Sequence, residues 1–183
     1  MREPIIPQFD LDTYLMWEER QRDRFELHHG FVVAFAGGTL DHDRIALNLR
    51  NAFDRLFPAP CRAFGSDLKV RADEANAFYP DAGVVCDELP GSTTLVASAR
   101  VLAEVLSPRT RAYDLVEKRA AYRRIETVTA YLIVDTVSPR VELDRRDLDG
   151  RWSTTVSDGE PIMLGGGSLT FEEIYARSSL APN

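Results

Sequence analysis

The chain has 183 residues and a mass of 20.6 kDa, the length of one domain at roughly 100–200 residues per domain. Hydrophobic residues at 44% and charged residues at 28% exclude a disordered chain, and no apolar run approaches the roughly 18 residues of a membrane span. With 22 basic against 29 acidic side chains the net charge is −7. That excludes a protein that coats nucleic acid through many phosphate contacts, but not an enzyme that meets it through one local patch.

Met1-Arg2-Glu3-Pro4 leads into polar, acidic sequence without an apolar signal region, so a cytoplasmic protein is expected. A first helix is expected over 11–22 with Asp10 as its cap. Two strands, Phe25-Glu26-Leu27 and Phe31–Phe35, flank His28-His29-Gly30 and read as a hairpin. A second helix follows from about Asp41, with Ile45, Leu49, Ala52, Phe53 and Leu56 on one face and Pro58 ending it.

Strands are expected over 63–71 and 81–86, joined by an acidic turn at 72–76, and again over 101–106. Cys61 and Cys86 define neither a disulfide framework nor a zinc spacing, and are expected as reduced thiols. After Ser107-Pro108 a third helix covers 110–125 with Thr110 as a possible cap, and strands follow at 131–135, 141–145 and 152–156. Thr170-Phe171-Glu172-Glu173 is a capping box opening a short last helix. This order describes a mixed α/β chain on one central sheet, with residues 1–183 as a single domain.

No phosphate-binding glycine loop, dinucleotide fingerprint, zinc-protease motif or nucleophile elbow is present. Two carboxylates on apolar strands remain. Asp81 opens Ala82-Gly83-Val84-Val85, and Glu104 interrupts Val101-Leu102-Ala103-Glu104-Val105-Leu106. A buried carboxylate needs a cation or hydrogen-bond donors. A shared divalent ion would serve both, and a salt bridge to an arginine would serve either alone. Asp114, Lys118 and Tyr122 share a helix face at i, i+4 and i+8. Between Arg109 and Arg124 six basic and two acidic residues give +4, a candidate phosphate-facing patch or a solvated face.

Pro80-Asp81, Glu104-Val105-Leu106-Ser107-Pro108, Thr110, Asp114, Lys118 and Tyr122, with Glu26, His42 and Tyr131–Asp135, resemble the Uma-two family of endonucleases. That family belongs to the PD-(D/E)XK, restriction-endonuclease-like superfamily. The resemblance implies a restriction-endonuclease-like mixed central sheet flanked by helices, with additional hairpins. It implies a metal-dependent endonuclease acting on DNA, with RNA as another possible substrate, and Mg²⁺ or Mn²⁺ as cofactor. Asp81, Glu104 and the Val105 carbonyl would hold the ion, and Lys118 would act beside it.

The superfamily pattern wants lysine at the third position of Glu-x-Lys, where this chain has Leu106. Lys118 is the expected substitute and Lys69 its competitor, the only two lysines of the chain. Without a substitute, the fold would serve as a non-catalytic binding or assembly module. Glu26, His42, Asp114 and Tyr122 are secondary candidates, and Arg109, Arg111 and Arg119 would meet nucleic acid. Cutting both strands of a duplex calls for two sites, so a homodimer is expected, with Trp152 a possible anchor.

Overall fold

The computed structural model describes residues 8–34, 37–108 and 111–181. The first half runs α1 (Leu11–Glu18), β1 (Phe25–His28), β2 (Phe31–Ala34), α2 (Leu40–Leu56), β3 (Arg62–Gly65), β4 (Lys69–Asp73) and β5 (Asn76–Phe78). Then come β6 (Ala82–Val85), β7 (Leu95–Val96), β8 (Ala99–Val105), α3 (Arg111–Tyr113), a π-helical turn (Asp114–Lys118) and α4 (Arg119–Arg124). The chain continues with β9 (Ala130–Val134), β10 (Val141–Arg146), β11 (Trp152–Ser157), β12 (Ile162–Leu164), β13 (Gly167–Leu169) and α5 (Phe171–Tyr175). Phe35, Arg109, Thr110 and the N-terminal Met1–Pro4 lie outside the described residues.

Local chemistry sets several of these boundaries. Asp10 accepts a hydrogen bond from the Thr13 N–H at 2.8 Å and caps α1. Thr39 caps α2 in the same way through His42 N–H. His29 (φ 51°) and Gly30 (φ 81°) form the two-residue turn between β1 and β2, and a two-residue loop with both φ positive matches the strand twist. The capping box at Thr170 and Glu173 is present in both directions.

Six strands in the order β11-β10-β9-β8-β6-β3 form the main sheet. Only β8 and β9 run parallel within it. One face packs α2 and α5 through Ile45, Leu49, Phe53 and Ile174 onto Val84, Val101, Ala103 and Val105. The other face carries Leu102, Leu106, Tyr131 and Ile133 against Tyr122 and Ala121 of α4 and Phe78 of β5. The period-two alternation of β8 therefore separates the two cores, with Glu104 on the Leu102–Leu106 face. A second sheet, β2-β1-β5-β4-β7, leans over that face, and β12-β13 form a separate hairpin.

Several expectations are corrected. The strand read over 63–71 is two strands in different sheets, because the chain turns at Ser66–Leu68, closed by Leu68 N–H to Gly65 O. The short strands β5, β7, β12 and β13 carry too few residues to show a period of two. The first helix ends at Glu18. Cys61 and Cys86, expected as free thiols, form a disulfide. They continue the Arg62↔Val85 register of β3 and β6, a proximity that only the strand pairing creates.

The third helix carries the π turn, and two arginines after it grip the sheet. Arg119 donates to both Asp144 carboxylate oxygens and to Glu142, and Arg123 donates to the same Asp144. Burial alone would push the Asp144 carboxyl up, but Arg119, Arg123 and the Thr154 hydroxyl hold it below its ordinary 3.8. A depressed folded value stabilises above the unfolded value and loses that stabilisation as pH falls through the folded one. Asp144→Asn is therefore expected to cost about 1–3 kcal/mol at pH 7. Urea titrations should show the gap to wild type closing as pH drops below about 3.8.

Trp152, expected as an interface anchor, is engaged within the chain. The guanidinium carbons of Arg123 and Arg146 lie 5.5 and 5.0 Å from its ring centroid, and its indole N–H donates to Arg123 O. Among the described residues no helix is long and apolar enough to cross a membrane.

Candidate active site

Asp81 and Glu104 arrive from neighbouring strands. The pairing Ala82↔Ala103 continues one step to set Asp81 opposite Glu104, at the ends of β6 and β8. Val105 N–H donates to Asp81 Oδ2 at 2.7 Å, and His42 Nε2 lies 3.3 Å from the same oxygen. His42 sits in the first turn of α2 with its ring against Gly38, where a Cβ would lie 2.6 Å from Nδ1. A glycine there lets the loop close over the imidazole. Burial disfavours the imidazolium, but Asp81 outweighs it and His42 titrates above its ordinary 6.5.

Lys118 reaches this cluster and Lys69 does not. Its ammonium donates to Glu26 Oε1 at 2.9 Å and Glu104 Oε1 at 3.2 Å, with Asp114 Oδ1 at 3.6 Å. Tyr122 O–H donates to the same Glu104 oxygen at 2.9 Å. The shared face of Asp114, Lys118 and Tyr122 thus points inward, and all three are buried. The π turn over Asp114–Lys118 widens the helix at this point, as single π turns commonly do at functional sites. Leu106, at the superfamily's lysine position, packs with Tyr122 and Tyr131. The cation therefore comes from the helix and the hydrocarbon from the strand.

Glu26, Glu104 and Asp114 are buried around one lysine, and Asp81 is buried on the strand beside Glu104. Burial, with Asp81, Asp114 and Glu26 adding to it and Lys118 opposing, holds the Glu104 carboxyl well above its ordinary 4.5. For Glu26, burial is overcome by Lys118, His28 and the Tyr79 N–H, and its carboxyl falls to about 2. Burial disfavours the Lys118 ammonium, yet the surrounding carboxylates hold its pKa well above 10.5. Carboxyl groups thus outnumber the ammonium in a buried set: Glu26, Glu104 and Asp114 face Lys118, and Asp81 lies beside them against His42. That matches a hard divalent cation, which takes one or two carboxylates with waters and phosphate. Among the described residues no group of three or more acidic, His or Cys side chains is arranged to hold a metal ion; Asp81 and Glu104 are the two carboxylates that the strand pairing sets opposite each other.

The expected phosphate-facing patch is spent on internal contacts. Arg111 donates to Asp135, Arg119 and Arg123 hold Asp144, and Arg124 pairs with Asp73. Arg119 is therefore a strut between helix and sheet. Arg111 stays half-exposed, and Arg109 lies outside the described residues.

Sequence reasoning missed a supporting clamp. Glu18 accepts from Phe25 N–H at 3.0 Å and from Tyr79 O–H at 2.9 Å, and pairs with Lys69. Tyr79 N–H in turn donates to Glu26 at 2.9 Å. The buried Glu18–Lys69 pair therefore holds the residue before Glu26 and the segment leading to Asp81. His28 holds the other Glu26 oxygen at 2.8 Å and stacks on Tyr113. Nothing local marks Glu18, which is followed by a second glutamate, Glu19, so the sequence does not say which of the two turns inward. Glu18→Ala should cost about 3–5 kcal/mol in urea unfolding, since it strands a buried ammonium.

The whole arrangement is a nuclease-type fold. A crystal structure described as "a putative nuclease belonging to DUF820" from Anabaena variabilis superposes with a TM-score of 0.74 at 14% identity, covering 92% of this chain and 98% of that one. The chain belongs to the Uma2 family, described as "Putative restriction endonuclease", whose model matches residues 11–170. Two uncharacterised Synechocystis proteins are similar to it. The protein slr1290 is 34% identical over 93% of each chain, and sll1609 is 31% identical over 80% of this chain and 86% of its own.

Proposed function

We propose that this protein is a divalent-metal-dependent endonuclease that hydrolyses DNA phosphodiester bonds. The observation that carries this reading is the buried excess of carboxylates around Lys118, with Asp81 and Glu104 brought together at the ends of adjacent strands. Family membership supports it. Asp81, Glu104 and the Val105 carbonyl would hold Mg²⁺ or Mn²⁺. When bound, such an ion lowers the pKa of a water and polarises the phosphoryl oxygen.

The chain's own residues then divide the remaining work. Lys118, released in part from Glu104, orients the attacking water and offsets charge gathering on the phosphoryl oxygens. Tyr122 fixes the Glu104 carboxylate, and Glu26 with Asp114 fixes the Lys118 ammonium. His42 orients Asp81. Arg111 and Arg109 are the remaining candidates to meet the strand.

The chain acts as one domain on this reading and pairs as a homodimer to cut both strands. A second reading, a nuclease fold that binds or assembles without cutting, draws on the internal pairing of Arg119, Arg123 and Arg124. Incubating the protein with supercoiled plasmid and single-stranded DNA, and with RNA in parallel, separates these readings. Nicking of DNA that requires Mg²⁺ or Mn²⁺ and is abolished by Glu104→Gln supports the enzyme. Cleavage of RNA alone reassigns the substrate. Binding with no cleavage under any divalent ion supports the module.

A further inference from the structure

A second recess lies at the opposite end of β8 from Glu104. It has a volume of about 380 Å³, within the roughly 300–1,000 Å³ range of small-molecule sites. Its floor is the start of β8 and β9 and the end of β10. Val101 pairs with Ala130, Ala130 pairs with Arg145, and Thr129 N–H donates to Arg100 O at 2.9 Å. Its far wall is the β12–β13 turn, Gly165 to Gly167, with Phe57, Met163 and Leu164 supplying apolar surface. From Arg100 to Glu104 is four residues of strand, about 13 Å. The recess belongs to the α2 side of the sheet, through Val101, Ala130 and Leu164, whereas Glu104 faces the α4 side.

Its charge is one-sided. Arg100, Arg145 and Arg146 line it, and none of the lining residues is acidic, in a protein whose net charge is −7. Arg100 is the extra residue of a β-bulge, since Val84 pairs with Val101 and Val85 with Ala99. Bulges commonly re-aim a side chain. Its guanidinium is exposed and has no hydrogen-bond or ionic partner among the described residues. Arg145 is also exposed and donates only to the Met163 carbonyl across the recess. Arg146 turns its guanidinium to the α4 side of the sheet, tied to the carbonyls of Arg123, Ile125 and Glu126 and lying over Trp152, so the charge offered to the recess is that of Arg100 and Arg145. At Gly166 (φ 82°) an added Cβ would meet nothing within 4 Å, so the turn leaves the mouth open.

We propose that this recess binds a phosphate ester carrying an apolar body, the chemistry of a nucleoside monophosphate. Arg100 and Arg145 would take the phosphate oxygens through the planar fork that suits them. Phe57, Met163 and Leu164 would face the base. The same chemistry is offered by a free nucleotide and by the 5′-phosphorylated end of a strand. The site is independent of the nuclease reading, lying on the other face of the sheet.

Isothermal titration of the full chain with adenosine 5′-monophosphate, adenosine, inorganic phosphate and a 5′-phosphorylated oligonucleotide tests it. Adenosine monophosphate should bind, with adenosine and phosphate each at least about tenfold weaker, because each keeps only half of the contacts. Arg100→Ala, whose side chain has nothing to lose in the fold, should weaken binding roughly tenfold. Adding Arg145→Ala should remove it, and Glu104→Gln should leave it unchanged. Oligonucleotide binding at least as tight as the mononucleotide's, and lost in the same arginine variants, assigns a strand-end site. Mononucleotide binding without it assigns a free nucleotide. Adenosine binding as well as its phosphate, binding that survives both arginine substitutions, or no binding of either phosphate ester overturns the proposal.

Discussion

Glu104→Gln is expected to abolish divalent-dependent DNA cleavage, by on the order of 10³-fold or more, while the metal-free protein becomes more stable. The two effects have one cause. Glu104 is buried, and Asp81, Asp114 and Glu26 crowd it with like charge, so its carboxyl is held well above 4.5. An acid whose folded pKa is raised keeps a proton that the unfolded chain releases. Stability of the metal-free wild type should therefore fall as pH rises from about 4.5 towards the folded value. The amide keeps the shape and can still accept from Tyr122, but it has no charge to bury. Thermal melts across this window should show the variant's advantage growing with pH in the metal-free state. Mn²⁺ should then stabilise the wild type and not the variant. A variant that cuts DNA as the wild type does would remove Glu104 from the metal site.

Lys118→Met is expected to act in the opposite direction on stability and the same direction on cleavage. The ammonium is the shared partner of Glu26, Glu104 and Asp114. Removing it leaves these carboxylates facing one another in a buried space, at an expected cost of about 3–5 kcal/mol in metal-free protein near neutral pH. Combining Lys118→Met with Glu104→Gln should recover much of that loss, since the unpaired charge goes with the lysine. Cleavage should remain lost in both, because the chain's other lysine cannot stand in: Lys69 is held by Glu18 on the far side of Tyr79. Urea unfolding of the four proteins gives the coupling directly. Additive losses in the double variant would mean that Lys118 and Glu104 do not share one charge balance.

What was legible in the sequence divides along physical lines. Glu104 was visible because an ionisable group interrupts an apolar strand, and Lys118 because it lies one helical turn from Asp114 and Tyr122. The caps at Asp10 and Thr170 were equally plain, since each acts within three residues of its own position. What could not be read depends on contacts between distant segments. Cys61 meets Cys86 only because β3 pairs with β6, and Glu18 becomes a clamp only when β1 and Tyr79 close over it. The basic segment after Pro108 misled for the same reason. Its arginines are free along the sequence, but the fold supplies Asp144, Asp135 and Asp73 as partners. The π turn leaves no mark in the residue pattern, because Asp114, Lys118 and Tyr122 keep the i, i+4, i+8 spacing of an ordinary helix.

The most direct test is anomalous diffraction from a crystal of the wild-type protein grown with millimolar Mn²⁺, beside one of Glu104→Gln. The account predicts a single strong peak in the wild type between the carboxylates of Asp81 and Glu104, with ligand oxygens at about 2.1 Å, and none at that position in the variant. A well-ordered wild-type site in which Asp81 and Glu104 hold no ion, with Lys118 still bound to Glu104, would contradict it.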